Sequence, residues 1–203
     1  MASKDDCFKL LREVIDATIS TIDGDGNPQS RVIDIMHTDE ETAYFLTGRG
    51  KRFYRQLENN NHVAIVGLLN NVSVRIIGEV EKLENQKEWI DLMFDENKYL
   101  NNVYPGDSRY ILEPFKVVKG EMEYFNLTTK PITREQFTIN SDEVKYFKQG
   151  YRIKDTCIAC GICANVCPQQ SIIPGLPYEI QPNHCLDCGT CYENCPNGNI
   201  EKL

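Results

Sequence analysis

The feature that most constrains this chain is a cysteine pattern written twice. Cys157, Cys160, Cys163 and Cys167 recur as Cys185, Cys188, Cys191 and Cys195, each displaced by 28 residues. Gly161 and Gly189, Pro168 and Pro196, and Ile172 and Ile200 keep the same displacement. Short extended segments, Tyr151-Arg152-Ile153 and Tyr178-Glu179-Ile180, precede the two sets. Self-similarity of this kind reads as a small duplicated unit with pseudo-twofold symmetry. Of the nine cysteines only Cys7 lies outside it, so the composition breaks near residue 150. The 203 residues then divide into one full-sized unit and one small C-terminal unit.

Each repeat reads C-x2-C-x2-C-x3-C-P. Three cysteines two residues apart can wrap one cuboidal cluster from a single loop, with Gly161 or Gly189 giving the tight backbone. The fourth cysteine sits on the next helical turn, where the proline redirects the chain, and in this pattern it ligates the other cluster. One 4Fe–4S cluster is therefore expected on Cys157, Cys160, Cys163 and Cys195, and a second on Cys185, Cys188, Cys191 and Cys167. The segment resembles the bacterial two-cluster ferredoxins over its whole length. All-cysteine zinc sites would use paired CxxC motifs and have no need of a third evenly spaced cysteine and a Cys-Pro, twice. A disulfide framework needs an oxidising compartment, and the N-terminal MASKDDCFKLLREV lacks the basic-then-apolar pattern of an export leader. Ile158, Ile162, Ile172 and Ile173 are expected to keep water from the clusters.

Charge and hydropathy narrow the setting. The longest apolar run, Val63 to Leu69, falls far short of the roughly 20 residues of a membrane span. A formal charge of −8 and a pI near 5.0 argue against non-specific nucleic-acid binding. Oxidised clusters, at about −2 each, would take the total to about −12 and steer basic partners. A cytoplasmic protein without a membrane span is expected.

The first 150 residues follow other periods. Phe8, Leu11, Val14, Ile15 and Ile19 fit an amphipathic helix. Strands are expected over Ala17–Ile22, Gln29–His37, Ala43–Thr47, His62–Leu69 and Val72–Leu83, with one or two more in Ile111–Leu127. The turn Asp23-Gly24-Asp25-Gly26-Asn27-Pro28 joins the first pair, and helices are expected over Lys51–Asn59 and Asn85–Phe94. About six strands in hairpin order predict a closed or partly closed antiparallel barrel. Thr128 to Gly150 reads as a polar connector with some helix near Asp142–Lys148. The expected domains are residues 1–127, a connector 128–150, and residues 151–203.

The barrel carries no GxGxxG, so no Rossmann site is expected. Its ordered motifs are the DGDGNP turn leading into Gln29-Ser30-Arg31-Val32-Ile33, then Tyr44-Phe45-Leu46-Thr47-Gly48 running into Arg49-Gly50-Lys51-Arg52, then Val72 to Val80. By their order and spacing, over about residues 5–127, the chain resembles the pyridoxamine 5'-phosphate oxidase-like FMN-binding split barrels. The full expectation is thus a mainly β split barrel with a few helices, joined to a small α+β ferredoxin-like domain.

The resemblance implies that Arg31, Val32, Ile33 and Asp34 line the flavin and that Thr47, Gly48, Lys51 and Arg52 hold its phosphate. It also implies a homodimer with FMN at the subunit interface. A phosphate dianion suits a hydroxyl, free N–H groups and fixed cations. Cations at a helix start oppose the macrodipole, and an anion there resolves the conflict. The segment lacks the serine that often accompanies these ligands. The C-terminal substrate region of the longer oxidases is replaced here, so vitamin B6 oxidation is not implied.

Other branches of the fold bind the deazaflavin F420 or haem. His37 and His62 read as ordinary strand-end residues rather than haem ligands, and His184 as exposed. Cys7 is expected to pack on the first helix, and Trp89 and Tyr99 to make core or dimer contacts. No Ser-His-Asp set or carboxylate pair supports hydrolysis. The expected function is an iron–sulfur flavoprotein oxidoreductase, passing electrons between the clusters and FMN and so to or from a small organic molecule or a redox partner protein. The alternative is a non-enzymatic electron carrier whose barrel is a docking or flavin-holding module.

Overall fold

The computed structural model describes residues 2–142, 145, 147 and 150–203. The first helix, α1 (Lys4–Val14), starts from a capping box. Asp6 N–H donates to Ser3 Oγ at 3.1 Å, and Ser3 N–H donates to Asp6 Oδ2 at 2.8 Å. It buries Cys7, Phe8 and Leu11. The helical period continues in sequence to Ile19, but the helix stops at Val14. Ile15, at φ 61°, caps α1, and its carbonyl accepts the N–H groups of Ala17 at 3.0 Å and Ile35 at 2.8 Å. Its backbone thus belongs to the sheet, and Ile19 lies on the first strand.

Seven strands form one antiparallel sheet: β1 (Asp16–Ile22), β2 (Pro28–Thr38), β3 (Ala43–Gly48), β4 (His62–Leu69), β5 (Val72–Lys82), β6 (Leu112–Asn126) and β7 (Thr133–Ile139). Their order is β3-β2-β1-β4-β5-β6-β7, and a second pairing of β3 with β6 closes the first six into a barrel. β6 can serve three neighbours because it is 15 residues long: Leu112–Lys116 pairs with β3, and Gly120–Asn126 with β7. The hairpin turns follow local chemistry. Asp23 Oδ1 accepts from the amides of Asp25 at 3.0 Å and Asn27 at 2.9 Å, and Asn70-Asn71 takes positive φ at both positions, as a tight hairpin requires. Inward residues pack around Phe45, which stacks on Phe53 and Phe115. The helices α2 (Arg52–Asn59) and α3 (Gln86–Glu96) lie within two residues of their expected bounds. α3 brings Ile90, Met93 and Phe94 onto Met36, Tyr44 and Leu46 as a second apolar cluster.

One expectation is corrected. The segment read as a polar connector contains β7, paired with β6 from Thr133↔Asn126 to Ile139↔Gly120. Phe137 and Ile139, two residues apart, pack on the core, but Arg134, Glu135 and Gln136 mask the strand in sequence. The helix expected near Asp142–Lys148 falls largely outside the described residues. Among the described residues no helix is long and apolar enough to cross a membrane.

The C-terminal unit keeps its repeat symmetry in three dimensions. β8 (Tyr151–Ile153) pairs with the last strand, Ile200–Lys202, and Ile172–Ile173 pairs with Glu179–Ile180. In chain order these become β9 (Ile172–Ile173), β10 (Glu179–Ile180) and β11 (Ile200–Lys202), with helices α4 (Ile162–Val166) and α5 (Thr190–Glu193) between them. Ala159 and Asp187 share φ near +55° (54° and 56°), and Gly161 and Gly189 take 78° and 81°.

At one point β5 and β6 approach too closely for any side chain. Gly78 faces Gly120, and a Cβ on Gly78 would collide with the Lys119 carbonyl and lie 2.9 Å from Gly120 Cα. Gly78→Ala must therefore spread the two strands. Overpacking of this kind costs about 1–3 kcal/mol. At about 2–4 °C per kcal/mol for a chain of this size, thermal unfolding should fall by several degrees. Gly24→Ala, which meets no atom within 4 Å, should leave it unchanged. Equal melting of the two variants would contradict the close approach.

Candidate functional site

Two cavities in the C-terminal unit gather its cysteines. One is lined by Cys157, Cys160 and Cys163 of the first repeat and by Cys195 of the second. The other is lined by Cys185, Cys188, Cys191 and Cys167. The crossing follows from the backbone, since α4 and α5 carry each fourth cysteine away from its own loop and the following proline turns the chain. Among the described residues no three His, Cys, Asp or Glu side chains close around a single ion. A tetrahedral zinc at about 2.3 Å from each sulfur would need the sulfurs about 3.8 Å apart.

Backbone amides already point at the sulfurs, with the same 28-residue symmetry. Ala159 N–H donates to Cys157 Sγ at 3.4 Å and Asp187 N–H to Cys185 Sγ at 3.3 Å. Ser171 N–H reaches Cys167 Sγ at 3.4 Å and Asn199 N–H reaches Cys195 Sγ at 3.3 Å. Such donors stabilise thiolates and tune a cluster held by them. Hydroxyls add to the set: Ser171 Oγ lies 3.4 Å from Cys167 Sγ and Thr190 Oγ1 lies 3.3 Å from Cys188 Sγ. Burial pushes the thiols of Cys163 and Cys191 up, and that of Cys185 to about 11. For Cys167, burial acts the same way, but the Ser171 hydroxyl and nearby amides outweigh it and bring the thiol down. Metal loading must therefore expel protons from the buried thiols.

The apolar cover differs from expectation. Ile172 is buried, but Ile158 is 63% exposed, and Ile162 and Ile173 also reach solvent. Ile158 nevertheless lines the first cavity and Ile172 the second, whereas Ile162 and Ile173 line neither. Ile153, Ile180 and Ile200, with Tyr151 and Tyr178, complete the apolar cluster around the cysteines. Each tyrosine also explains a glycine: a Cβ on Gly161 would stand 3.2 Å from the Tyr178 hydroxyl, and one on Gly189 2.8 Å from that of Tyr151.

In the barrel, strand alternation splits the four residues proposed beside the DGDGNP turn. Arg31 turns inward, where it donates to Ile19 O at 3.2 Å, Thr21 Oγ1 at 2.7 Å and Gln56 Oε1 at 2.8 Å, and its guanidinium lies 4.5 Å from the centre of the Phe53 ring. Ile33 packs against the core. Val32 faces outward, 62% exposed, and Asp34 accepts the Tyr99 hydroxyl at 2.6 Å. These side chains do not form one surface, because successive residues of a strand point to opposite faces. What they share is an edge. β3 pairs with β2 only from Ile35 onward, which leaves that side of Arg31 to Asp34 unpaired by any strand.

Thr47, Gly48, Lys51 and Arg52 do come together, at the junction of β3 and α2. Thr47 is buried and its hydroxyl has no hydrogen-bond partner. α2 begins at an N-cap, Lys51, that makes no side-chain cap, and its first turn holds no acid. Arg49 is committed to Glu113 and to the Tyr110 carbonyl, both at 2.8 Å. Lys51 and Arg52 are exposed and, among the described residues, make no salt bridge. An unsatisfied buried hydroxyl, an uncapped helix start and two uncommitted cations are the complement of a phosphate. Gln56, to which the sequence assigns no role, is a buried polar residue on the apolar face of α2 that ties Thr21 to Arg31.

The remaining singled-out residues are placed as follows. His37 Nδ1 lies 2.9 Å from Glu96, and His62 opens β4 beside Asn60. His184 is half-buried rather than exposed, because its Nδ1 reaches the Ile132 carbonyl at 2.7 Å. Cys7 is fully buried, which pushes its thiol up to about 12. Trp89 stacks on Tyr44 with ring centres 4.9 Å apart. Val32, Thr18, Val66, Arg75 and Glu123 stand in register across β2, β1, β4, β5 and β6. At about 4.8 Å per strand, Val32 is thus about 19 Å across the sheet from Glu123.

Comparison with known proteins follows the same division. Residues 4–129 match the family model described as pyridoxamine 5'-phosphate oxidase, and residues 149–196 match a 4Fe-4S dicluster domain. The pyridoxine/pyridoxamine 5'-phosphate oxidase of Escherichia coli is 30% identical over 79 residues, which cover 38% of this chain and 36% of that enzyme. The match thus spans about a third of that relative's length. Among solved structures, a NimC/NimA family protein from Clostridium acetobutylicum aligns with a TM-score of 0.55 and 23% identity, covering 64% of this chain and 89% of its own. A protein from the same organism, related to general stress protein 26 of Bacillus subtilis, aligns at 0.51 with 14% identity, covering 64% of this chain and 90% of its own. These likenesses show the barrel fold.

The orphaned hydroxyl gives a direct test. Replacing a buried, unsatisfied polar group by an apolar one of the same shape is neutral or stabilising. Thr47→Val should therefore raise the melting temperature of the cofactor-free protein, or leave it unchanged, while weakening the binding of a phosphate-bearing ligand. Destabilisation of the cofactor-free protein by 1 kcal/mol or more would mean that the hydroxyl has a structural partner instead.

Proposed function

The chain belongs to the pyridoxamine 5'-phosphate oxidase family and carries a 4Fe-4S dicluster domain, and from this premise we propose that it is a cytoplasmic iron–sulfur flavoprotein oxidoreductase. It holds two 4Fe–4S clusters, one on Cys157, Cys160, Cys163 and Cys195 and one on Cys185, Cys188, Cys191 and Cys167. It holds FMN on the barrel. The observation that carries this reading is the crossed lining of two cavities, each taking three cysteines from one repeat and the fourth from the other. We divide the chain at residues 1–127, 128–150 and 151–203, with β7 inside the middle segment.

When bound, the clusters supply single electrons, and FMN supplies the step between one- and two-electron chemistry. The chain's own residues do the holding. Lys51 and Arg52, the first N–H groups of α2 and the Thr47 hydroxyl take the phosphate, and Gly48 leaves its approach open. Arg31, fixed by Thr21 and Gln56, stiffens β2 so that the free edge of Arg31 to Asp34 meets the ring system. Val32 offers it an apolar contact. The outer face of the barrel, with Val32, Val66 and Leu68 exposed, supports pairing of two chains there, which would close the flavin against water. The reductant or oxidant at the flavin is a small organic molecule or a redox partner protein.

Anaerobically purified protein should contain about eight irons and eight acid-labile sulfides per chain, and zinc without sulfide would refute the clusters. Lys51→Ala or Arg52→Ala should weaken FMN about ten- to hundredfold and riboflavin much less, since one charge-assisted hydrogen bond contributes about 1.5–3 kcal/mol and only FMN carries the dianion. Equal losses for the two flavins, measured by fluorescence titration, would remove these residues from the phosphate role. Sedimentation of the FMN-loaded protein should give a dimer that Leu68→Arg splits. A monomer that holds FMN tightly would exclude the interface.

A further inference from the structure

Comparing the two repeats position by position isolates what the symmetry does not explain. Asp187 corresponds to Ala159, His184 to Thr156, and Gln169 to Asn197. Each of these departures in the second cavity's surroundings faces the barrel. His184 Nδ1 meets the Ile132 carbonyl at 2.7 Å, and Gln169 Oε1 accepts the Ile132 N–H at 2.9 Å. Asp187 pairs with Arg134 of β7. The corresponding loop of the first repeat shows Ile158 to solvent instead.

The Asp187–Arg134 pair ends a ladder of charge on the outer face of the sheet. Arg75 on β5 lies 3.3 Å from Glu123 on β6, and Glu123 lies 3.5 Å from Arg134 Nε. The second contact is an ion pair too long for a hydrogen bond, and among the described residues neither of its two atoms has a hydrogen-bond partner. Arg134 is also stacked, 5.0 Å from the centre of the Phe125 ring. The side chains of Arg134 and Asp187 are only 11% and 17% exposed, so solvent and salt screen their charges poorly. Asp187 is no remote neighbour of the cysteines, since its amide donates to Cys185 Sγ at 3.3 Å.

We infer that Arg134 is a positioning residue that locks the second cysteine loop onto the barrel through Asp187, so that the cluster on Cys185, Cys188, Cys191 and Cys167 is the inner one and its potential is set by this buried pair, while the first cluster faces outward to the redox partner. This rests on the cluster reading above. Charge near a cluster is one of the protein's means of setting its potential. A cation beside it favours the added electron, and an unpaired carboxylate opposes it. Arg134→Gln leaves Asp187 unpaired and should lower the potential of the inner cluster. Asp187→Asn leaves Arg134 in place and should raise it. Asn is well suited to position 187 because it tolerates the left-handed backbone found there, at φ 56°.

The experiment is an anaerobic redox titration of the holoprotein, followed by electron paramagnetic resonance, on wild type, Arg134→Gln, Arg134→Lys, Asp187→Asn and the double variant. Thr190→Val, which removes the hydroxyl beside Cys188, identifies the wave of the second cluster. That wave should move negative in Arg134→Gln, positive in Asp187→Asn, and return towards wild type in Arg134→Lys and in the double variant. The other wave should stay in place. Shifts of the same sign in the two single variants, shifts of both waves together, or no shift would overturn the inference while leaving the clusters intact. If Arg134→Gln does not fold, the sign of the shift in Asp187→Asn decides alone. Wild-type protein without iron and sulfide would overturn the cluster reading, and this inference with it.

Discussion

Eight cysteines in about fifty residues leave little room for an ordinary core. The C-terminal unit buries Ile153, Ile172, Ile180 and Ile200 and few other large side chains. A unit this small rarely gains enough from its own apolar burial to offset chain entropy, and usually needs cross-links or metal. The crossed cysteine cavities supply such a link, because each joins a loop of one repeat to the helix end of the other. The paired amides aimed at sulfur, the positive φ at Ala159 and Asp187, and the glycines under the tyrosines recur in both loops and are the geometry that wrapping a loop around a compact body would require.

The barrel answers a different constraint. Its closure depends on β6, which is long enough to pair β3 at one end and β7 at the other. Because β3 reaches β2 only at Ile35, the sheet opens beside Arg31 to Asp34, and α2 starts next to that opening. The break in pairing and the uncapped helix start bring unsatisfied backbone and side-chain groups together near the cations Lys51 and Arg52. β7 then serves the other unit: its inward residues complete the barrel wall, and its outward Arg134 receives the cysteine loop.

Much of this was legible from residues alone. The cysteine repeat carried the crossed cavities, because ligand spacing and the Cys-Pro turn leave few alternatives. Hairpin turns such as Asp23 to Pro28 and Asn70-Asn71 carried the strand order. Four features are not legible, each for a physical reason. β7 was read as connector because Arg134, Glu135 and Gln136 look solvated, and only the neighbouring unit shows that Arg134 is buried. Ile162 and Ile173 flank the cysteine motif and read as shielding, yet both reach solvent and line neither cavity. The four residues Arg31 to Asp34 looked like one lining, whereas strand alternation makes them an edge with two faces. His184 was misjudged because its partner, the Ile132 carbonyl, is a tertiary contact that no local pattern encodes.

The central claim is that clusters and flavin form one electron-exchanging unit, and an anaerobic reductive titration of the purified holoprotein tests it most directly. Two clusters taking one electron each and FMN taking two predict about four electrons per chain, with cluster and flavin absorbance both bleaching and both recovering on addition of an oxidant. Uptake of only two electrons, or a flavin that bleaches and recovers while the iron–sulfur absorbance stays unchanged, would contradict it.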